Sequence, residues 1–369
     1  MVYSVFMKTD EQTIRGTLKV VHLAPHFDIS GNGVVNVAID LACMQARDGI
    51  QVVFVGAEGS FADLLKSEGV TVCSIPLSST RNYFTAFRSL RRVLRDFDPD
   101  IVHAHMIPGA IFGFALQLRS RFKLVTTVHN SGRFGTELMS LGDVAICVSN
   151  HLAREMLRRG MPARKIRVVL NGPLDSPRLT PGAEPLQLNH PAIITIAELA
   201  DFKGVGDLIA AFTFVGETLP LPYLYIVGQG PDRSKFERQA RESGSAQRIV
   251  FCGSIPDPTP YLQSSDIFVL ASHREGFGLV LAEAREAGCA VIATDVGGIP
   301  EVLEGGTAGI LVPAKSPARL ADALKVLIED KTLLGQWRAK ASSNLDWLSC
   351  RRSAAETLHV YEEVLQKNE

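Results

Sequence analysis

Thirteen short apolar, β-branched runs, most of them separated by segments of helical periodicity, constrain this chain more than any other feature. Seven lie upstream of a proline cluster, at 19–24, 51–55, 71–75, 101–105, 124–129, 144–149 and 166–170. Six follow it, at 192–196, 223–227, 249–252, 267–271, 290–294 and 309–312. A strand with one wet face alternates apolar and polar residues. These runs are apolar on both faces, which belongs to a parallel sheet covered by helices on each side. Pro173, Pro177, Pro181, Pro185 and Pro191 fall in a stretch with neither period and mark a linker. The pattern predicts two doubly wound α/β domains in tandem: 1–177, a linker at 178–191, and 192–350. Segment 351–369 is a candidate helix to cross back onto the first domain. Ligands of such sheets bind at the carboxyl ends of the strands, so the site is expected in a cleft there.

The remaining classes fall away quickly. The longest weakly polar run, 106–118, is interrupted by Pro108, Gly109 and Gly113 and is too short to span a bilayer. Lys8, Asp10, Glu11, Arg15 and Lys19 break any signal-peptide core near the start, so a cytoplasmic protein is expected. Six cysteines, none in CxxC spacing, read as reduced buried thiols. The net charge of −1 hides an asymmetry: residues 1–177 hold 20 Lys+Arg against 15 Asp+Glu, and the remainder 18 against 24. Arg81, Arg88, Arg91, Arg92 and Arg95 interleave with Phe84, Phe87, Leu90 and Leu94, a basic amphipathic pattern that suits an anionic membrane surface and equally an ordinary packed helix. Nothing resembles a nucleic-acid module.

The most informative segment runs Ser272-His273-Arg274-Glu275-Gly276-Phe277-Gly278-Leu279-Val280-Leu281-Ala282-Glu283-Ala284. A buried strand ends near Ser272, glycines permit a tight turn, and helical composition begins at Gly278. The unpaired N–H groups at that helix start, with the dipole, suit a phosphate anion. Glu275 and Glu283 would flank it as acceptors for vicinal hydroxyls, an arrangement suited to a diphosphate with a sugar on one side and a ribose on the other. Taken alone, the segment also fits a helix with one solvated glutamate and one favoured by the dipole. Lys203-Gly204, after the first strand of the second domain, could neutralise a diphosphate, and also reads as a surface lysine. Thr294-Asp295-Val296-Gly297-Gly298-Ile299-Pro300-Glu301 repeats the strand, glycine turn, helix pattern. In the first domain, Gly31-Asn32-Gly33 comes too late after its strand for a dinucleotide turn and fits a loop reaching toward phosphate. His105 and His129 fall at the carboxyl edges of central strands, where a structural histidine is the alternative. Asp98-Pro99-Asp100 has the form of a metal-binding pair but precedes its strand, and reads as a solvated turn. No metal set is expected.

These residues together resemble the retaining, nucleotide-sugar-dependent glycosyltransferases of the GT-B fold, glycosyl transferase group 1. The hallmark is Glu275 and Glu283 with seven residues between them. It is supported by Ile226-Val227-Gly228-Gln229-Gly230-Pro231, Phe251-Cys252-Gly253, Gly297-Gly298-Ile299-Pro300-Glu301, Val148-Ser149 and Asn171-Gly172, so the likeness covers nearly the whole chain. It implies two Rossmann-like parallel-sheet domains facing across a cleft, an acceptor domain and then a nucleotide-sugar donor domain.

The resemblance also implies roles. Glu275 would contact the donor sugar and Glu283 the ribose. Lys203 would hold the diphosphate, Gly33 the phosphate by its backbone, and His129 the transferred sugar near the reaction centre. Gly276, Phe277, Gly278 and Leu279 complete the expected donor site, with His105, Glu198 and Arg274 as secondary candidates. The implied activity is hexosyl transfer with retention to a glycan or lipid-linked acceptor in cell-surface polysaccharide or glycolipid synthesis, without cofactor or essential metal, on the inner face of the membrane. Acceptor recognition would rest on loops 27–32 and 133–137. A non-hydrolysing sugar-nucleotide epimerase and a catalytically weak sugar-nucleotide-binding protein are the rival readings. One departure stands out: the family's Gly-Arg-Leu, whose arginine helps bind the diphosphate, is here Ala197-Glu198-Leu199. A carboxylate about 4 Å from a diphosphate oxygen would cost on the order of several kcal/mol at an effective dielectric near 20.

Overall fold

The structure, a computed structural model, describes residues 18–28, 33–77, 83–130, 132, 135–179, 184–216 and 222–366. Gly31, Asn32, Arg81, Arg133 and Pro181, singled out above, lie outside the described residues. Two compact units are present. The first takes the described residues up to Asn171, then Asp175–Arg178 and the chain from Cys350 onward; the second takes Gly172–Leu174 and Leu179–Ser349.

The first unit holds a seven-stranded sheet: β1 (Lys19–His26), β2 (Gln51–Ala57), β3 (Thr71–Ser74), β4 (Ile101–Ala104), β5 (Lys123–Val128), β6 (Val144–Cys147) and β7 (Ile166–Val168). Its order is β3-β2-β1-β4-β5-β6-β7, all parallel. The second holds six: β8 (Ala192–Ile196), β9 (Tyr223–Val227), β10 (Ile249–Gly253), β11 (Ile267–Leu270), β12 (Ala290–Thr294) and β13 (Ile310–Val312). Their order is β10-β9-β8-β11-β12-β13, again all parallel. In each sheet the chain first winds outward one way and then returns to the other side of the first strand. The switch points lie between β1 and β4 and between β8 and β11, where the loops after neighbouring strands diverge and leave room for a ligand.

Both sheets follow from the apolar runs. Val20, Val21, Leu23 and Ala24 of β1, and Ile193 and Ile194 of β8, are fully buried, as strands covered on both faces must be. The last helix, Cys350–Gln366, belongs to the first unit because Ala354, Leu358, Tyr361 and Val364 recur at helical spacing and are all buried. Leu358, Tyr361 and Val364 join the core that Ile39, Phe54 and Val125 help form. Arg352 donates to the Leu170 carbonyl at 2.7 Å and fixes the start of that helix.

The division differs in detail from a single linker at 178–191. Gly172–Leu174 already belongs to the second unit, where Leu174 bridges Ser349, while Asp175–Arg178 belongs to the first. Arg178 explains the latter: it makes a two-pronged ion pair with buried Asp40 at 2.8 and 2.9 Å. Asp98-Pro99-Asp100 is not simply solvated either. Pro99 is buried, and the Asp100 carboxylate accepts from the Lys19 backbone N–H at 2.8 Å, tying β1 to the start of β4. The six cysteines form no disulfide, and burial pushes the thiols of Cys43, Cys147, Cys289 and Cys350 up to about 12, away from thiolate chemistry.

Candidate functional site

Chemistry-bearing side chains gather at both switch points. In the second unit the loop 271–278 leaves β11 and enters the helix Leu279–Glu286. Glu275 lies in that loop, and one of its carboxylate oxygens accepts from Lys203 Nζ at 2.7 Å and from Ser272 Oγ at 3.3 Å. Its other oxygen faces the Gly276 N–H at 3.3 Å. Lys203 comes from the turn after β8, so the two elements flanking the switch point each supply one partner. Two glycines allow this closeness. Gly204 has φ +67°, and a Cβ there would sit 1.8 Å from the Ala271 carbonyl oxygen. Gly297 has φ +60°, and its Cβ would lie 1.8 Å from the Glu275 carbonyl oxygen. Any side chain at either position would push the Glu275 loop out of place.

A second cation stands nearby. The Arg274 guanidinium and Lys203 Nζ both lie 5.5 Å from the centroid of the Phe202 ring. His273 locks this loop to the Lys203 turn: its backbone N–H donates to the Phe202 carbonyl at 2.7 Å and its Nε2 donates to Asp207 at 2.8 Å. Gly276, Phe277 and Gly278 are buried at the entrance to the helix and Leu279 is half-buried. The Leu281 N–H already donates to the Gly278 carbonyl at 3.0 Å, and the Leu279 and Val280 N–H groups at the helix start have no preceding turn to donate to. Glu283, half-buried, sits just over a turn inside. Glu198 is exposed and, among the described residues, forms no ion pair, while its neighbours Leu199 and Ala200 are buried. Its carboxylate therefore stays in water, where its charge is screened.

In the first unit, Gly33 opens the helix Gly33–Arg47 that follows β1. His129 stands one residue beyond β5 and His105 one beyond β4, so both lie just past the strands rather than within them. His105 is buried and His129 half-buried. Behind them runs a hydrogen-bonded network. His129 Nε2 meets His105 Nδ1 at 3.3 Å, His105 Nε2 meets His22 Nδ1 at 3.0 Å, and His22 Nε2 meets Gln45 Oε1 at 2.8 Å. Gln45 Nε2 donates to the Tyr361 hydroxyl at 3.3 Å, which contacts His103 Nδ1 at 2.6 Å, and His103 Nε2 reaches Thr127 Oγ1 at 2.6 Å. Desolvation lowers His22 to about 4 and His129 to about 3, and holds His103 and His105 well below the ordinary histidine value. All four imidazoles are neutral at physiological pH.

His22, His103, Gln45 and Tyr361 were not among the residues singled out from the sequence. A signal was present: His103 and His105, two apart in an apolar strand, share one face, and parallel register places His22 opposite His103. Ring nitrogens of His22, His103 and His105 lie within 4.8 Å of one another, a spacing a transition metal could use. The arrangement argues for hydrogen bonding instead. His22 and His103 each commit both nitrogens to protein partners, and the His103 and His105 rings stack 4.2 Å apart at 29°, so their lone pairs run side by side.

One surface completes the inventory. On the helix Tyr83–Phe97, Ala86, Leu90 and Leu94 are buried and Arg88, Arg91, Arg92 and Arg95 are exposed. Phe112 of the helix Ile107–Gln117 packs edge-on against Tyr83 and Phe87. Phe84, at 71%, and Leu118, at 74%, stand largely in solvent, with Ile111 and Phe114 also exposed. Among the described residues no helix is long and apolar enough to cross a membrane.

Comparison with known proteins agrees with this arrangement. A family model described as "Glycosyltransferase Family 4" matches residues 31–173, and one described as "Glycosyl transferases group 1" matches 190–330. N-acetyl-alpha-D-glucosaminyl L-malate synthase of Bacillus anthracis is 30% identical over 259 residues, covering 63% of this chain and 66% of the relative. Lipopolysaccharide core biosynthesis glycosyltransferase LpsD of Rhizobium meliloti is 27% identical, covering 69% and 73%. Among solved structures, Anabaena HepE in complex with UDP and glucose superposes with a TM-score of 0.76 at 20% identity, covering 93% of this chain and all of that one. With two parallel Rossmann-like sheets of seven and six strands, and family matches spanning both, the chain belongs to the group 1, family 4 glycosyltransferases.

Proposed function

We propose that the chain is a retaining, hexosyltransferase-type enzyme. It moves a sugar from a nucleoside-diphosphate sugar to a glycan or lipid-linked acceptor in cell-surface polysaccharide or glycolipid synthesis. The observation that carries this reading is the Lys203–Glu275 pair, held at 2.7 Å beside the start of the helix Leu279–Glu286. A diphosphate arriving there meets an ammonium, the Arg274 guanidinium and the helix's first-turn N–H groups. Lys203 then exchanges its carboxylate partner for the diphosphate. Glu275 is released to accept hydrogen bonds from sugar hydroxyls, and Glu283 serves the ribose. The exposed position of Glu198 makes the missing family arginine tolerable, because Lys203 and the helix start carry the leaving group. These groups do the work of charge stabilisation, so no metal is essential in this reading.

Front-face displacement fits such a site. The departing phosphate oxygen takes the acceptor's proton as the new bond forms, so the protein's part is positioning and charge stabilisation. His129 of the first unit contacts the transferred sugar. The relatives named for glucosaminyl malate and lipopolysaccharide core synthesis, and the UDP and glucose bound to HepE, make UDP-sugars the first donors to test. Calorimetry with UDP-glucose and UDP-N-acetylglucosamine, followed by transfer assays with and without chelator, is the experiment. Glu275→Ala and His129→Ala should each lower turnover strongly while the fold survives, and chelation should leave it unchanged. Wild-type rates in both variants, or no detectable donor binding, would refute the assignment. Isomerisation of the donor without an acceptor would identify an epimerase instead.

The surface formed by Arg88, Arg91, Arg92, Arg95, Phe84, Ile111, Phe114 and Leu118 supports peripheral docking on an anionic membrane. The Arg88 guanidinium lies over the Phe84 ring, 4.7 Å from its centroid, so a cation and an exposed apolar ring stand together. That placement would bring the first unit to a lipid-linked acceptor.

A further inference from the structure

We propose that His105, His22 and Gln45 are positioning residues: they hold His129 in the tautomer protonated at Nε2, so that its Nδ1 is offered as an acceptor to a hydroxyl of the transferred sugar. This deepens the assignment of His129 made above and rests on it.

The direction of each hydrogen bond follows from the one before. Gln45 Oε1 can only accept, so His22 Nε2 carries a proton and donates across 2.8 Å. A neutral imidazole has one N–H, so His22 Nδ1 is a lone pair and receives a proton from His105 Nε2 at 3.0 Å. His105 Nδ1 is then the lone pair that faces His129 Nε2 at 3.3 Å, and His129 must donate there. Its remaining nitrogen, Nδ1, is left unprotonated, and among the described residues it has no hydrogen-bond partner.

The far end of the chain is satisfied with the amide in this orientation. Gln45 Nε2 donates to the Tyr361 hydroxyl at 3.3 Å, the hydroxyl proton goes to His103 Nδ1 at 2.6 Å, and His103 Nε2–H donates to Thr127 Oγ1 at 2.6 Å. Turning the Gln45 amide over would reverse every bond from Tyr361 to His129 and convert His129 Nδ1 into a donor. A network in which each bond sets the next acts as a unit. The desolvation that lowers all four histidines serves the same end, since a protonated ring would be a donor on both sides and would break the sequence. Tyr361, from the last helix, thus links that helix to the chemistry of His129. The sugar group recognised is one that donates, a free hydroxyl.

The test is a long-range imidazole proton–nitrogen correlation spectrum of the full chain labelled with 15N-histidine, with His129 assigned by its loss in His129→Gln. In the wild type without substrate, His129 should show a pyridine-type Nδ1 and a pyrrole-type Nε2. Gln45→Met removes the amide and should give averaged nitrogen shifts at His129, while Gln45→Glu, which retains an acceptor, should restore the wild-type pattern. Transfer by Gln45→Met should fall on the order of tenfold in kcat with an unchanged donor KM, and Gln45→Glu should recover it. A pyrrole-type Nδ1 in the wild type overturns the proposal whether or not Gln45→Met folds, as does an unaltered His129 spectrum in folded Gln45→Met. Undiminished transfer in His129→Gln overturns the placement of His129 at the sugar, even with the expected spectrum. Lost transfer with mixed tautomers in the wild type overturns the relay alone.

Discussion

Replacing Gly297 by alanine tests whether the Glu275 loop is held by the close approach of two backbones. At φ +60° an alanine pays for a left-handed conformation with about 1–2 kcal/mol. Its Cβ would sit 1.8 Å from the Glu275 carbonyl oxygen, where real contacts essentially never fall below 3.0 Å, so the carbonyl must retreat. That movement breaks the bond from the Gly298 N–H to the same oxygen, now 3.2 Å, for about another 1 kcal/mol. The total, roughly 2–3 kcal/mol, should lower the melting temperature by roughly 5–10 °C for a unit of this size. A carboxylate displaced by about 1 Å should also lose on the order of 100-fold in turnover. Gly305→Ala is the control. Its φ is +69°, but nothing lies within 4 Å of the added Cβ, so it carries only the conformational cost. Differential scanning calorimetry, paired with steady-state transfer assays, separates the two. Equal melting temperatures in the two variants, or Gly297→Ala with wild-type turnover, would refute the reasoning.

Three further outcomes follow from the same geometry. Glu198→Arg restores the family's cation beside the Lys203 turn; donor affinity measured by calorimetry should change little, and a gain of more than about tenfold would mean that Lys203, Arg274 and the helix start leave the diphosphate short of positive charge. For pH, the sign comes from His22 and His129, held at about 4 and about 3 when folded against 6.5 when unfolded. Below 6.5 the unfolded chain takes up protons that the folded chain refuses, so urea midpoints should be flat above that pH. They should decline as pH falls from 6.5 toward 4, the unfolding free energy behind them by up to about 1.4 kcal/mol per pH unit for each such histidine; His22→Asn with an undiminished slope would exclude His22 as a source. Co-sedimentation with vesicles containing anionic phospholipid should fall with salt and in the triple variant of Arg88, Arg91 and Arg92, and binding indifferent to both would remove the membrane reading.

Strands β8, β9 and β12 begin and end where their apolar runs do, because a buried parallel strand has no wet face to blur its ends. His105 and His129 fall one residue beyond β4 and β5, although the His105 N–H still donates to the Leu23 carbonyl of β1 at 2.9 Å. Glu275 and Lys203 stand out in the sequence as candidate site residues, but their 2.7 Å pairing does not. They are 72 residues apart, and only the adjacency of β8 and β11 brings their loops together. The assignment of Asp175–Arg178 to the first unit is not local, because it rests on the ion pair of Arg178 with Asp40, 138 residues away.

By itself the sequence determined the class of this protein: two parallel sheets, a glycine-rich turn before a helix, and two glutamates with seven residues between them, all of them local patterns. Only the tertiary structure decided how His129 is presented. Its tautomer depends on Gln45 in a helix, on His22 within β1 and His105 just past the adjacent β4, and on Tyr361 of the last helix, 316 residues from its amide partner. No local pattern encodes a proton's position along such a path, because each bond's direction is dictated by the next acceptor in space and not by the next residue in the chain.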